Sequence, residues 1–286
     1  MVTPFDPDGA VDFTVAAQLA TFLAREGSEG LVVGGSTGEG SSLSDDEKLD
    51  LFACVAEAVT IPVLAGSTFA NTQASVALTT QVKATGVAGV LATTPAYARP
   101  NQAGIAGHLS AIAESTPLDV MLYDVPIRTG RKIASATTID LVRQHKNIVA
   151  MKDASGDTAS AAHTKSVLGD GFDLYSGDDS MLLAFLGVGA VGIVSVAAHW
   201  AGPEVAGIVH AAVRGDWVEA QRLNEVAAQS FAFESTEAYP NPMPSKAALR
   251  ALGIPVGECR LPHGPSDSDL EAAAAEIVAS LKTARA

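Results

Sequence analysis

Short apolar segments recur along the chain, and each is followed by a segment with the periodicity of an amphipathic helix. The apolar segments span residues 30–34, 61–66, 88–93, 119–123, 148–152, 172–176 and 191–196. Their spacing of roughly 20–30 residues is that of one strand and one helix of a parallel sheet. Val15, Leu19, Phe22 and Leu23 predict the first helix by their spacing, and Ser44 predicts the N-cap of the second.

Seven such strands, with a stub of an eighth at Val2–Thr3, predict a TIM (β/α)8 barrel, which is an α/β fold of parallel strands. A doubly wound sheet fits the same alternation, but it requires a glycine-rich dinucleotide-binding turn after the first strand, and none is present there. We therefore expect a barrel over residues 1–215, with its active site at the carboxyl ends of the strands.

The strand pattern stops after about residue 215. Helical patterns follow near 216–233, 243–252 and 267–284, so residues 216–286 are expected to form a C-terminal helical extension and not an independent domain. The run at 239–244 contains three prolines, which predicts a fixed, non-helical connector.

Composition and charge restrict the kinds of partner. The hydrophobic fraction is 48%, enough for a large core in a chain of 286 residues. With 18 Lys and Arg against 32 Asp and Glu, the formal charge of −14 argues against nucleic acid or an anionic membrane as a partner. Neither a signal segment nor a membrane-spanning apolar run is recognisable, which predicts a cytoplasmic location.

Lys152 ends the apolar run at 147–153, where a buried strand should meet its loop. A cation at such a place has two explanations. The side chain reaches the rim of the sheet or pairs with Asp153, or it is a reactive amine. Desolvation favours the neutral amine, and a neutral amine attacks a ketone to form a Schiff base.

Tyr123 ends the preceding predicted strand. Neighbouring parallel strands end side by side, so the Tyr123 hydroxyl is a candidate for moving protons at the Lys152 amine. The alternative is a core aromatic residue whose hydroxyl is satisfied elsewhere.

Two further strand ends carry candidate anion-binding groups. The glycine-rich turn at 34–39 contains Ser36 and Thr37 and offers hydroxyl and backbone N–H groups to a small carboxylate, although a purely structural turn fits as well. Arg128 follows a proline on the loop after the Tyr123 strand and could hold a second carboxylate, while an exposed structural arginine is the common alternative.

The sequence requires no cofactor and predicts no metal site. Its six histidines are scattered without metal-ligand spacing, and the adjacent Asp178 and Asp179 alone do not make a metal site. Cys54 and Cys259 are too few and too far apart in sequence for a disulfide framework or a cysteine metal site. Phosphate-binding Walker loops and nucleophile elbows are likewise not found.

Taken together, these motifs resemble the dihydrodipicolinate synthase/N-acetylneuraminate lyase family, whose members form Schiff bases on a βα barrel. The resemblance covers nearly the whole chain. It is carried by residues 2–5, 35–39, 94–100, 123–130, Lys152, 176–179, 192–196 and 241–246. It implies that Lys152 forms an imine with pyruvate.

The resemblance also implies roles for the neighbouring candidates. Tyr123, Ser36 and Tyr97 would relay protons, with Tyr97 contributed across a tight dimer interface. The positions implied to bind substrate are Thr37, Arg128, Gly177 and Val194. A homo-oligomer is expected, with a tetramer of tight dimers as the family norm. Family chains carry several residues before Val2, so the first strand is expected to be a stub.

Arg128 favours the synthase branch, in which the arginine binds the carboxylate of L-aspartate 4-semialdehyde. Synthases generally carry threonine at the position of Ser36, so the sequence of this glycine-rich turn is more similar to that of the lyases. Another pyruvate-dependent aldolase for N-acetylneuraminate or 2-keto-3-deoxy sugar acids, or a keto-deoxy sugar acid dehydratase, is therefore the alternative. A non-catalytic keto-acid-binding relative is disfavoured, because Lys152, Tyr123 and Thr37 are all present.

Overall fold

The computed structural model describes residues 1–68 and 70–285. The chain folds into two compact units. We call Met1–Val63 together with Val196–Ala286 the terminal unit, and Leu64–Ser195 the central unit. The predicted boundary at residue 215 separates the barrel from the helical extension and is not one of these unit boundaries, so it stays a prediction.

The terminal unit contains one strand and six α-helices among its described residues. They are β1 Leu31–Val33, α1 Phe13–Arg25, α2 Asp45–Ala58, α9 Ala198–Val213, α10 Trp217–Phe233, α11 Met243–Ala251 and α12 Ser268–Arg285. Ser44 caps α2 as predicted, because its hydroxyl accepts from the Glu47 N–H and the Glu47 carboxylate accepts from the Ser44 N–H in return. The predicted apolar stripe of α1 buries Val15, Leu19 and Leu23.

The central unit alternates strands and helices. Its elements are β2 Val63–Gly66, α3 Thr72–Val82, β3 Gly89–Thr93, α4 Gln102–Glu114, β4 Asp119–Asp124, α5 Pro126–Thr129, α6 Ser135–Gln144, β5 Ile148–Asp153, α7 Thr158–Leu168, β6 Asp173–Ser176, α8 Leu182–Gly187 and β7 Gly192–Ile193. Each neighbouring pair from β2 to β7 is parallel. The helices satisfy the crossover that parallel strands require.

The seven strands predicted from the apolar segments are confirmed, and in the sheet they follow one another in chain order. The stub of an eighth strand predicted at Val2–Thr3 is wrong for the described residues, since no strand forms there. The Val2 N–H donates to the His199 imidazole at 3.0 Å, and the Thr3 hydroxyl donates to the Gly38 carbonyl at 2.6 Å. These two hydrogen bonds involve side chains, whereas a strand at residues 2–3 would pair its backbone groups with those of a neighbouring strand.

The predicted C-terminal helices are confirmed as α10, α11 and α12. The connector prediction is right up to Pro242 and wrong at its end, because α11 already begins at Met243. Pro244 fits in the first turn of the helix, because a backbone N–H in that turn would have no acceptor within the helix. Buried Met243, Ala247 and Leu270 pack α11 and α12 together.

Among the described residues, every helix is too short or too polar to cross a lipid bilayer.

Candidate active site

Lys152 is the second-last residue of β5 and only 8% exposed. Its register partners are Tyr123 on β4 and Tyr175 on β6. The Lys152 Nζ lies 4.4 Å from the centre of the Tyr123 ring. The two residues that the sequence placed at neighbouring strand ends are therefore in contact, with the lysine amine over the face of the aromatic ring.

Lys152 belongs to one row of register partners that crosses five strands. The row consists of Thr93, Tyr123, Lys152, Tyr175 and Gly192. Side chains alternate along a strand, so members of one row share a face of the sheet. The Thr93 hydroxyl donates to the Tyr123 carbonyl at 2.9 Å and ties two members of the row together.

Gly177 lies against the stem of Lys152. A Cβ at Gly177 would come within 3.0 Å of the Lys152 Cγ and within 2.9 Å of the Ala154 Cβ. The Gly177 N–H donates to the Asp153 carbonyl at 2.7 Å, which holds the loop after β6 close to the end of β5. Only glycine leaves the lysine stem where it is.

Val194 continues from β7 beside the same loop. Its N–H donates to the Ser176 carbonyl at 2.9 Å. The neighbouring Ser195 hydroxyl donates to the buried carboxylate of Asp179. Gly177 and Val194 are thus both fixed by backbone bonds to the ends of their neighbouring strands.

On the opposite face of the sheet lies a polar cluster around Asp124, which is fully buried. Its carboxylate accepts from the Ile133 N–H at 3.0 Å and from the Lys132 Nζ at 3.4 Å, and Lys132 also donates to the Ser155 hydroxyl at 2.7 Å. Burial raises the pKa of Asp124 to about 6, against the lowering effect of these hydrogen bonds. The cluster anchors the segment that follows α5 to the ends of β4 and β5.

Arg128 lies on the short helix α5 and is exposed. Within the described part of the chain it pairs with no carboxylate, so its guanidinium is available to a ligand. The Thr129 hydroxyl, which donates to the Val125 and Arg131 carbonyls at 3.2 and 2.9 Å, holds the helix in place.

Tyr97 is 97% exposed and has a φ of +68°, which is rare for a residue with a side chain. Its ring therefore packs against almost nothing in its own chain, and this chain does not bring it to Lys152. Two hydrogen bonds tie its loop to the segment that follows α5, the helix that bears Arg128. The Arg99 Nε donates to the Gly130 carbonyl at 3.2 Å, and the Arg131 Nε donates to the Arg99 carbonyl at 3.2 Å.

Ser36 and Thr37 lie together, half-buried, in the glycine-rich turn of the terminal unit. The N–H groups of Glu39 and Gly40 already donate to the Ser36 and Gly35 carbonyls at 3.1 Å. Those of Ser36 and Thr37 bind nothing among the residues described. A turn with two N–H groups and two hydroxyls to offer can bind a small carboxylate.

The glycine-rich turn does not lead directly into a full α-helix. A single turn of 3-10 helix at Gly40–Ser42 follows it, and α2 begins later, at Asp45. A Cβ at Gly40 would lie 2.0 Å from the Gly34 carbonyl oxygen, so the chain can fold back on itself only with glycine there.

Residues of α11 and of the segment just before it bind this turn at two points. The Asn241 Nδ2 donates to the Thr37 Oγ1 at 2.8 Å, and the Ser245 hydroxyl donates to the Asn241 Oδ1 at 3.1 Å. The Lys246 Nζ lies 2.7 Å from the Glu39 Oε1, and neither side chain is exposed. The glycine-rich turn is therefore joined to α11 by a chain of hydrogen bonds and by a buried ion pair.

Sequence reasoning missed three residues of these arrangements. Tyr175 occupies the same row as Lys152, and its place near the end of a strand was the available signal. Asn241 and Ser245 lie in one of the segments that carry the family resemblance, but no local pattern gave them a role, because Asn241 meets Thr37 across 204 residues of chain.

Fold and site define an α/β protein of parallel strands with a buried lysine at the strand ends, against the face of a tyrosine. The dihydrodipicolinate synthetase family matches residues 1–281, and the chain belongs to this family.

Individual relatives extend over almost the whole chain. A 4-hydroxy-tetrahydrodipicolinate synthase of Symbiobacterium thermophilum is 43% identical over 285 residues, which are 98% of this chain and 95% of the relative. The crystal structure of dihydrodipicolinate synthase from Cyanidioschyzon merolae with lysine bound has a TM-score of 0.95 at 38% identity, covering 99% of this chain and 96% of that one. The chloride-inhibited synthase from Acinetobacter baumannii complexed with pyruvate has a TM-score of 0.93 at 31% identity, covering 99% and 97%.

Proposed function

We propose that this protein is a 4-hydroxy-tetrahydrodipicolinate synthase, which joins pyruvate to L-aspartate 4-semialdehyde in the biosynthesis of diaminopimelate and lysine. The observation that carries the proposal is the buried Lys152 amine, 4.4 Å from the centre of the Tyr123 ring, in a chain of this family. The relative of that name at 43% identity supports the choice of reaction.

Lys152 supplies the nucleophile. Its neutral amine attacks the ketone carbon of pyruvate, and loss of water leaves an imine between the Nζ and that carbon. A proton then leaves the methyl group, and the resulting enamine carbon forms a bond to the aldehyde carbon of the semialdehyde. The amino group of the bound product displaces Lys152 from the imine, which closes the ring of the product and restores the free amine.

The other candidates handle protons and carboxylates. Tyr123, Ser36 and Tyr97 relay protons at the imine and the aldehyde oxygen. Ser36 and Thr37 bind the carboxylate of pyruvate with hydroxyl and backbone N–H groups, while Gly177 and Val194 line the substrate. Arg128 binds the carboxylate of the semialdehyde. Its exposed guanidinium, which has no acidic partner among residues 1–68 and 70–285, supports this role.

The larger organisation follows from the same proposal. Residues 1–215 form the βα barrel and residues 216–286 the helical extension. The protein acts as a tetramer built from tight dimers, in the cytoplasm, and Tyr97 crosses the tight interface. The exposure of Tyr97 at 97% and Ile127 at 91% supports a second copy over these loops.

Trapping with borohydride tests the chemistry. Incubation with pyruvate and borohydride should add one reduced pyruvyl group to the intact protein, and peptide mapping should place it on Lys152. Lys152→Arg keeps the positive charge and should give no adduct. Lys165→Ala removes another lysine of the central unit, whose Nζ binds the Gly169 and Phe172 carbonyls, and should be trapped like the wild type. Absence of the adduct from wild-type protein would refute the proposed chemistry.

Substrate comparison then tests the branch. Turnover should be found with pyruvate and L-aspartate 4-semialdehyde, and Arg128→Ala should raise the KM for the semialdehyde while leaving pyruvate trapping intact. Trapping without synthase turnover, accompanied by cleavage of N-acetylneuraminate or turnover of a 2-keto-3-deoxy sugar acid, would instead assign the chain to that alternative.

A further inference from the structure

The C-terminal segment before α11 reaches the glycine-rich turn through a single buried side chain. Asn241 is 5% exposed, and its Nδ2 lies 2.8 Å from the Thr37 Oγ1. The Asn241 N–H in turn donates to the Ser235 hydroxyl at 3.3 Å. The backbone of Asn241 is therefore fixed by one hydrogen bond, while its side-chain amide donates another to a hydroxyl of the turn.

The direction of this hydrogen bond decides what Thr37 can do. An amide nitrogen is only a donor, so the Thr37 oxygen accepts, and its own proton points elsewhere. A carboxylate accepts hydrogen bonds and cannot donate them, so it needs that proton. The opposite amide orientation would place the Asn241 oxygen at Thr37, where it would take up the Thr37 proton itself.

Ser245 stabilises the orientation that leaves the proton free. It is fully buried one helical turn after Asn241, and its hydroxyl donates to the Asn241 Oδ1 at 3.1 Å. The three side chains form a directed chain in which Ser245 donates to Asn241 and Asn241 donates to Thr37. The next group in this direction is whatever accepts from the Thr37 hydroxyl.

The same helix also holds the far end of the turn. Lys246 on α11 pairs with Glu39, two residues after Thr37, and its Nζ donates to the Glu258 carbonyl at 2.9 Å. The other oxygen of Glu39 accepts from the Arg260 N–H at 2.8 Å. With Glu39 anchored in this way, Asn241 and Thr37 are held at a fixed distance.

We propose that Asn241 is a positioning residue that makes Thr37 a hydrogen-bond donor to the carboxylate of pyruvate, with Ser245 fixing its amide. The inference depends on the proposed function, since it assigns Thr37 to that carboxylate. Its consequence is selective. Loss of the directed chain weakens binding of pyruvate and leaves binding of the aldehyde unchanged.

Asn241→Asp tests the direction of the bond, because the shape of the side chain is kept while the donor becomes an acceptor with a negative charge. A hydrogen bond to a charged group is worth enough to raise the KM for pyruvate roughly 10–100-fold. The pyruvate concentration needed for half-maximal borohydride trapping at Lys152 should rise equally, whereas the KM for the aldehyde should stay within about twofold of wild type. Lowering the pH should reduce the defect, because a protonated carboxyl can again donate to Thr37.

Ser245→Ala keeps the Asn241 amide and removes the hydroxyl that orients it, so a smaller rise in the KM for pyruvate is expected, with the KM for the aldehyde again unchanged. If Asn241→Asp fails to fold, Ser245→Ala still tests the positioning role of Asn241. The matched control is Asn147→Asp. Asn147 lies just before β5, and its Nδ2 donates to the Ala113, Thr116 and Leu118 carbonyls. This substitution should lower Tm without changing the KM for pyruvate.

The outcomes separate this inference from the proposed function. If wild-type protein is trapped by pyruvate and Asn241→Asp shows the same pyruvate dependence, the amide does not direct Thr37 and the positioning role is wrong. Equal rises in the KM for both substrates would likewise contradict it. Failure of the wild type to be trapped would instead overturn the proposed function.

Discussion

The row around Lys152 and the turn around Thr37 are built in different ways. In the central unit, Tyr123, Lys152 and Tyr175 come from consecutive strands, and parallel register alone aligns them. In the terminal unit, Thr37 is held by Asn241, which lies 204 residues later in the chain and just before α11, and Glu39 is held by Lys246 on α11. The first arrangement depends on backbone pairing and close packing, the second on buried polar groups whose partners must be present.

The two kinds of support should therefore fail differently. Removal of one buried polar partner leaves the other unsatisfied, which is expensive in the interior. Crowding a strand end displaces a side chain by a fraction of an ångström, which disturbs chemistry more than folding.

The largest effect on stability is expected from Lys246→Met. The substitution leaves the Glu39 carboxylate buried without its cation, and breaking such a pair typically lowers the free energy of unfolding by about 3–5 kcal/mol. Denaturant unfolding of the full chain measures the loss. The double variant Glu39→Gln with Lys246→Met removes the charge from both sides and should recover most of it. A loss below about 1 kcal/mol in the single variant would show that the pair does not support the turn.

Gly177→Ala addresses the packed row. The new Cβ would meet the Lys152 Cγ at 3.0 Å and the Ala154 backbone nitrogen at 3.0 Å, so the lysine stem or the loop must move. Overpacking of this kind costs about 1–3 kcal/mol, and the rate of borohydride trapping should fall by more than the stability loss explains. Gly107→Ala on α4 is the control, since its Cβ meets nothing within 4 Å. That change should leave trapping unaltered and stabilise the helix by about 0.5–1 kcal/mol.

The pH dependence of stability should respond differently to one buried group in each unit, because burial shifts the pKa of His199 and of Asp124 in opposite directions. Burial lowers the pKa of His199 in the terminal unit from 6.5 to about 3, with the chain-terminal ammonium adding to the effect. Between these values the unfolded histidine binds a proton and the folded one does not. Its contribution is complete above pH 6.5 and is lost as the pH falls, by about 1.4 kcal/mol per pH unit.

Asp124 in the central unit has the opposite sign. Burial raises its pKa from 3.8 to about 6, so within that window the folded carboxyl holds a proton that the unfolded one has lost. Its contribution falls as the pH rises, again by about 1.4 kcal/mol per unit, and offsets that of His199. Unfolding free energies at pH 4 to 6 should therefore rise more steeply with pH in Asp124→Asn and less steeply in His199→Gln. Unchanged slopes in both variants would contradict the assignment.

The smallest effect is expected at an exposed cap. Ser44→Ala removes the side-chain acceptor of the Glu47 N–H at the start of α2 and should cost about 1 kcal/mol. Trapping by pyruvate should be unchanged, since a cap acts on the helix alone. A change in the KM for pyruvate would mean that the helix after the turn, as well as α11, positions Thr37.

Much of the fold was predictable because its signals are local. Seven apolar segments became seven strands, and Ser44 caps α2 through residues three positions apart. The error at Val2–Thr3 has a non-local cause, because the imidazole of His199, 197 residues away, takes the Val2 N–H. The helical pattern near 243–252 placed the start of α11 correctly, whereas the connector prediction extended two residues too far, to Pro244.

The site divides in the same way. The contact between Lys152 and Tyr123 could be predicted from the sequence. Each residue lies near the end of its strand, and neighbouring parallel strands end side by side. The 97% exposure of Tyr97 could not be predicted in this way, because the burial of a side chain depends on which other parts of the fold cover it.

By itself, the sequence determined the alternation of strands and helices, the lysine at the end of β5 and the tyrosine beside it, because periodicity and strand order are properties of neighbouring residues. Only the tertiary structure decided which way the Thr37 hydroxyl can donate, since that depends on Asn241 and Ser245, which folding brings to the turn from far along the chain. Hydrogen-bond direction is set by partners in space, and no local pattern records it.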